Sequence, residues 1–232
     1  FFIDDVPVSR DGRTRLSVTY PGFAPAWYSI PVTAGELHQQ TLPLLPFNPP
    51  FKVDDPARVQ TLDGPNGAQL QLPANALDRP AVVHWASAAP GDDTPPPLPG
   101  EPRGRPTAGD EPQSLEVLAF AAMALAAPGE SPTTLNAPAR LWLRLPAAYQ
   151  AGGARGDRLV PAEAGRDTVP WWHLPPGESV WVRSDAEPDS AADEDARVIV
   201  GPDGQRYLEA RIAAGGWWLA AFPVADTACT CV

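Results

Sequence analysis

The side chains with most chemical reach in this 232-residue sequence are three histidines, two cysteines, an acidic run and eight tryptophans. His38, His84 and His173 stand far apart, and their spacing follows no metal-ligand pattern. A Ser/His/Asp triad needs a positioned nucleophile, and there is no Gly-x-Ser-x-Gly elbow to present one. Asp189, Asp193, Glu194 and Asp195 offer oxygen ligands of the kind Ca²⁺ collects. They lack the fixed Asp/Asn ladder and central glycine of an EF-hand, so the plainer reading is a solvated acidic loop. Cys229 and Cys231 are separated by one residue, which makes a mutual disulfide geometrically awkward. Two thiols without a nearby His or Cys also make a weak metal site, which leaves pairing outside this sequence or free thiols. No catalytic constellation emerges, and the expectation is a protein that is not an enzyme and needs no cofactor.

The tryptophans carry a different chemistry. Trp171-Trp172 and Trp217-Trp218 are adjacent pairs in strand-like surroundings. Neighbouring strand residues point to opposite faces, so each pair sends one ring inward and one outward. An outward indole can stack on a sugar ring or a protein surface. Trp172, Trp181, Trp217 and Trp218 are therefore the candidate ligand or partner contacts. The plainer alternative packs the outer ring under a loop or against a neighbouring domain.

The elements that would hold these residues read as short strands. Proline, at 31 residues, fixes φ and lacks an N–H, which excludes long helices and the interiors of central strands. The apolar fraction of 44% still supplies a core. Arg13 to Tyr20 alternates as a half-buried strand does, and Trp27 to Val32 and Leu37 to Leu45 look extended. Pro43, Pro46, Pro49 and Pro50 mark a stiff connector that closes a small N-terminal β unit over residues 1–50. A larger sandwich then spans 51–232. Val59 to Leu62, Gln69 to Leu72 and Pro80 to Trp85 lead it, with Asp63-Gly64 and Asn66-Gly67 as hairpin turns. Pro73 to Ala76 forms one turn. Residues 87–113 hold Pro95-Pro96-Pro97, several glycines and only Leu98 as a large apolar residue, and read as a mobile surface loop. Residues 114–127 are rich in Ala, Leu, Met and Glu, and pattern alone favours helix there. Strands recur at 141–145, 169–174, 179–183, 197–200, 207–212 and 217–222, with Gly177, Asp203-Gly204 and Gly215-Gly216 as turns. The expected fold is an all-β antiparallel sandwich with long Pro-rich loops.

Net charge is −11, which opposes the basic footprint that nucleic acid or an anionic membrane surface demands. No apolar run approaches the ~20 residues of a membrane-spanning helix. There is no signal peptide and the chain starts at Phe1, so the expectation is a piece of a longer, processed chain.

Several stretches carry a family resemblance. Leu72-Pro73-Ala74-Asn75-Ala76-Leu77 resembles the LPAGAL stretch of ZU5-like sandwich modules, with Asn75 where glycine usually stands. Met123 to Pro128-Gly129, followed by Leu135-Asn136-Ala137-Pro138-Ala139, is similar to the segment that precedes their L-x-L-P strand. Pro170-Trp171-Trp172-His173 with Glu178-Ser179-Val180-Trp181 resembles a paired-strand motif of the same group. Gly215-Gly216-Trp217-Trp218 with Pro223 and Cys229 resembles their closing motif. Residues 1–50 are similar to the end of a carboxypeptidase-regulatory-like β module.

The resemblance covers scattered pieces of 59–229, and it implies a strand at 114–127. It also implies a non-catalytic structural module of a large secreted or cell-surface bacterial protein, including proteins with RHS-type repeats. The implied partners are neighbouring domains of the parent chain, with a glycan or protein as the alternative. Some ZU5-like and GAIN-like modules cut their own backbone at a His-x-Ser/Thr site, where histidine is the base and the hydroxyl attacks the preceding carbonyl. His173-Leu174-Pro175 occupies the matching place. Proline has no hydroxyl, so the resemblance implies at most a degenerate cleavage site.

Overall fold

The structure, a computed structural model, describes residues 12–33, 35, 39, 41–89, 97–107, 109–125, 134–175, 177–184 and 195–224. It is all-β, and no α-helix occurs among these residues. The N-terminal hairpin pairs β1 (Arg13–Val18) with β2 (Ala26–Pro31). Segment 41–45, expected to be extended, joins no strand, and a single bridge ties Phe23 to Pro46.

One large sheet has six strands. Its order is β10 (Thr168–Val169), β13 (Ala196–Val200), β14 (Arg206–Ala214), β9 (Thr134–Arg144), β5 (Gln69–Leu72) and β4 (Gln60–Asp63). Alternation dictates its faces. In β9, Leu135, Ala139, Leu141 and Leu143 are buried, while Arg140 and Arg144 stand exposed on the other side. The β4–β5 hairpin turns through Asn66 (φ 57°) and Gly67 (φ 76°), the left-handed pair that an Asn-Gly dipeptide favours. The LPAGAL-like turn behaves similarly. Asn75 sits at φ 61°, where asparagine tolerates the left-handed region better than other side chains, so it can stand in for glycine.

The other sheet has seven strands. It runs β15 (Gly216–Pro223), β11 (Trp171–Leu174), β12 (Trp181–Arg183), β7 (Arg103–Arg105), β8 (Gln113–Ala124), β6 (Ala81–Ala88) and β3 (Phe51–Val53). β15 also pairs with β8, so β8, β15, β11, β12 and β7 close into a small five-stranded barrel. The closing contact is the parallel pairing of β12 with β7.

This closure overturns part of the reading of 87–113 as a loop. β6 runs on through Ala88, Leu98 is buried and β7 is a barrel strand; residues 90–96 lie outside the described set. Gly104 in β7 is required by packing. A Cβ there would sit 2.7 Å from the Trp172 ring and 2.8 Å from Leu115.

The segment whose pattern favoured helix is strand β8, as the family resemblance implied. Its apolar run reflects burial on both faces. Leu118, Ala119, Ala121 and Met123 join the core between the sheets, and Leu115, Phe120 and Ala122 join the barrel interior. Opposite Ala220 and Ala221, a bulge leaves Leu118 unpaired. The extra residue reverses the inward parity, so both the odd-numbered Leu115 and the even-numbered Phe120 point into the barrel. Ala24 and Leu45 of the N-terminal unit belong to that barrel core, and the Trp217 indole donates to the Pro25 carbonyl.

Candidate functional site

The four tryptophans singled out from sequence are interior. Trp172 and Trp181 are 0% exposed, Trp217 is 2% and Trp218 is 7%. An exposed platform made of these rings is therefore corrected. The premise that one ring of each pair faces water fails because the barrel wall is covered on both sides. Trp171 and Trp218 stack between the sheets with centroids 5.9 Å apart. Trp172 and Trp217 fill the barrel side. Their indole N–H groups are used internally: Trp171 donates to Arg211 O (3.1 Å), Trp172 to Ala221 O (3.0 Å) and Trp218 to Ala214 O (3.2 Å).

His173-Leu174-Pro175 ends β11. His173 is half-buried against the Trp218 ring, Leu174 is buried, and the Pro175 carbonyl accepts from Glu178 N–H. His173 pairs with Val182 on one edge and Trp218 on the other, so the chain here is locked into a sheet. His84, on β6, packs against Phe47. His38, Cys229, Cys231 and acidic residues 185–194 lie outside the described residues. Of the candidate Ca²⁺ loop, Asp195 is described, and its carboxylate is held by Arg183 at 2.9 Å. Among the described residues no three His, Cys, Asp or Glu side chains gather as a metal site.

Among the described residues, polar groups also gather in three other places. A cleft of about 400 Å³ lies between the N-terminal hairpin, the connector and segment 98–102, with Tyr28, Ile30, Leu42 and Pro102 among its walls. Its polar groups are committed to one another. Arg13 donates to Ser29 Oγ (2.8 Å) and reaches Glu101 at 3.4 Å, and the Tyr28 hydroxyl donates to the Pro43 carbonyl. Burial pushes that phenol up to about 12. Small-molecule sites need polar groups that converge on the ligand, and these converge on the protein.

The second assembly centres on Glu116 of β8. Tyr149 donates to its carboxylate, Arg155 pairs with Oε1, and Arg158 donates to Oε2 at 2.9 Å. Burial pushes the Glu116 carboxyl up, but the Tyr149 hydrogen bond and the Arg158 and Arg155 charges outweigh it and hold the group below the usual glutamate range. Arg158 also lies 5.0 Å over the Phe222 ring. Arg206 donates to the Gly156 and Leu159 carbonyls, both at 2.7 Å. These bonds fasten segment 146–160 to both sheets, so the acid is a staple and not a reactive group.

The third assembly is the outer face of the six-stranded sheet, where Trp142 stands. One row across it reads Asp63, Gln69, Trp142, Glu209, Arg197, Thr168, and the next reads Thr61, Gln71, Arg140, Arg211. Trp142 is half-buried, and its indole donates to Glu209 Oε2 at 2.8 Å, which orients the ring on the sheet. Gln69 donates to Asp63 at 2.9 Å. Beside this row, Tyr207 donates to Asp203 at 2.9 Å, and a backbone bond from Gln205, helped by Tyr207 and the Arg144 charge, holds the Asp203 carboxyl low. The carboxylates of the face are thus engaged by neutral donors. Arg140 and Arg211 are exposed and directly opposite one another, and among the described residues neither makes an ion pair or hydrogen bond through its guanidinium.

Trp142 was legible in the sequence. In Leu141-Trp142-Leu143-Arg144-Leu145 the leucines define the inward set, so period two alone sends Trp142 outward between Arg140 and Arg144. No protein-family model matches the chain, and no curated protein matches it. Among the described residues no helix is long and apolar enough to cross a membrane.

Proposed function

We propose that this chain is a non-catalytic structural module of a larger secreted or cell-surface protein, and that it presents the Trp142 face of its six-stranded sheet to a partner. The ZU5-like sequence stretches favour the structural role, and the many prolines suit it by lowering the entropy of the unfolded chain. The observation that carries the contact surface is Trp142 itself. Of the eight tryptophans only Trp27 and Trp142 are not buried, and Trp27 leans on the barrel core. Trp142 stands on an open sheet face, anchored by Glu209 and flanked by exposed arginines. Amphipathic rings held rigid in this way dominate recognition surfaces because they bury much area at little entropic cost.

The reading is tested by probing glycan and protein arrays with the chain and with Trp142→Ala. The expected result is a set of ligands whose binding falls at least tenfold in the variant while the melting temperature shifts little. Binding that is indifferent to Trp142→Ala would remove this face from the account.

A further inference from the structure

We infer that the Trp142 face binds an acidic polysaccharide, with a uronate ring over the Trp142 indole and its carboxylate held between Arg140 and Arg211. The inference rests on the contact role of that face. Arg140 and Arg211 are directly opposed residues of neighbouring antiparallel strands, with Cβ atoms about 4.5–5.5 Å apart, where like charges are unfavourable. The chain carries 28 acidic residues against 17 basic ones, so carboxylates are plentiful. Yet the carboxylates on this face bond to Trp142, Gln69 and Tyr207, and the two guanidiniums are left facing solvent. An anion lying between them relieves the repulsion, and a guanidinium fork suits a carboxylate in particular.

The neighbours specify the rest of the ligand. Arg140 and Trp142 are two positions apart on one strand, about 6.8 Å, so an arginine side chain reaches the edge of a sugar ring lying on the indole. Gln71 and Thr61 extend the arginine row as exposed donors and acceptors. Glu209 and Asp63 each retain acceptor capacity beyond their single side-chain bond, and hydroxyl groups fill such sites. A polymer that carries hydroxyls on the same ring as each carboxylate matches this mixed surface. An acidic polypeptide has no such hydroxyls and would offer Glu209 and Asp63 only like charges. The net charge of −11 also opposes indiscriminate adsorption of polyanions, so binding here must be local.

The test is calorimetric titration of the full chain with polygalacturonate, with its methyl-esterified form and with poly-glutamate. It is repeated for Trp142→Ala, for the Arg140→Ala/Arg211→Ala double variant and for the milder Arg140→Gln. Polygalacturonate is expected to bind and to weaken as salt rises. The esterified polymer, the double variant and Trp142→Ala are each expected to lose at least tenfold, with Arg140→Gln intermediate and all variants keeping the parent circular-dichroism spectrum. Equal binding of free and esterified polymers, lost on Trp142→Ala, would overturn the carboxylate assignment and leave the contact face standing. Poly-glutamate binding as tightly as polygalacturonate would replace the saccharide with an acidic polypeptide on that same face. No binding of any probe would overturn the inference, while the contact role would still be judged by the arrays.

Discussion

Trp172 and Trp181 occupy the same barrel interior and differ in one atom's fate. The Trp172 indole N–H donates to Ala221 O, whereas the buried Trp181 Nε1 has no hydrogen-bond partner among the described residues. A satisfied buried donor contributes roughly 1 kcal/mol net, and an unsatisfied one costs about 1–3 kcal/mol. Replacing each indole by phenyl also removes volume, which costs in both cases. Denaturant unfolding should therefore show Trp172→Phe to be the more damaging by about 2–4 kcal/mol, with Trp181→Phe close to the parent. The reverse order would mean that Trp181 Nε1 is satisfied and the barrel is packed differently. The same residue scale explains why the sequence placed outward indoles at the tryptophan pairs, which the structure buries. A tryptophan pair reports that both faces of a strand are occupied, but not whether the second occupant is water or protein. Trp142 is surrounded by Leu141, Leu143, Arg140 and Arg144, and that neighbourhood does report it.

At the scale of elements, segment 146–160 sets Tyr149 and Leu159 into the core between the sheets and is fastened besides by Glu116 and Arg206. The folded-state pKa of Glu116 lies below its ordinary value of 4.5, so its ionised form is the one that stabilises the fold. That contribution is complete above the unfolded value and is lost as pH falls through the folded one. Native-state hydrogen exchange of residues 147–159 should accelerate, relative to β9 and β14, as pH drops from about 5 towards 3. After correction for intrinsic exchange rates, Glu116→Gln should remove most of that pH dependence. Protection unchanged across this window would show that the staple is not electrostatic. Strand β8, on the same scale, was ambiguous in sequence for a physical reason. A strand buried on both faces loses the alternation that marks strands, and its Ala-rich composition then imitates a helix. The surrounding pairings decide it, with β15 along one edge and β7 and β6 along the other.

At the scale of the whole molecule, most strands and turns follow from period-two runs and Gly, Pro or Asn punctuation. The barrel does not. Its closure joins β7 to β12 and β8 to β15, pairings between segments far apart in the chain, and β7 is a three-residue strand in a stretch that composition marks as loop. Local pattern cannot register a strand whose only reason to exist is a distant partner. One consequence of closure is that the sheet carrying the tryptophan pairs is sealed, while among the described residues Trp142 stands half-buried on the outer face of the six-stranded sheet.

Hydroxyl-radical footprinting of the native chain, read by peptide mass spectrometry, tests this most directly. Trp142 and Trp27 should be labelled fastest, while Trp171, Trp172, Trp181, Trp217 and Trp218 react only once the fold is lost. Native labelling of either tryptophan pair as rapid as that of Trp142 would contradict the sealed barrel and the contact face together.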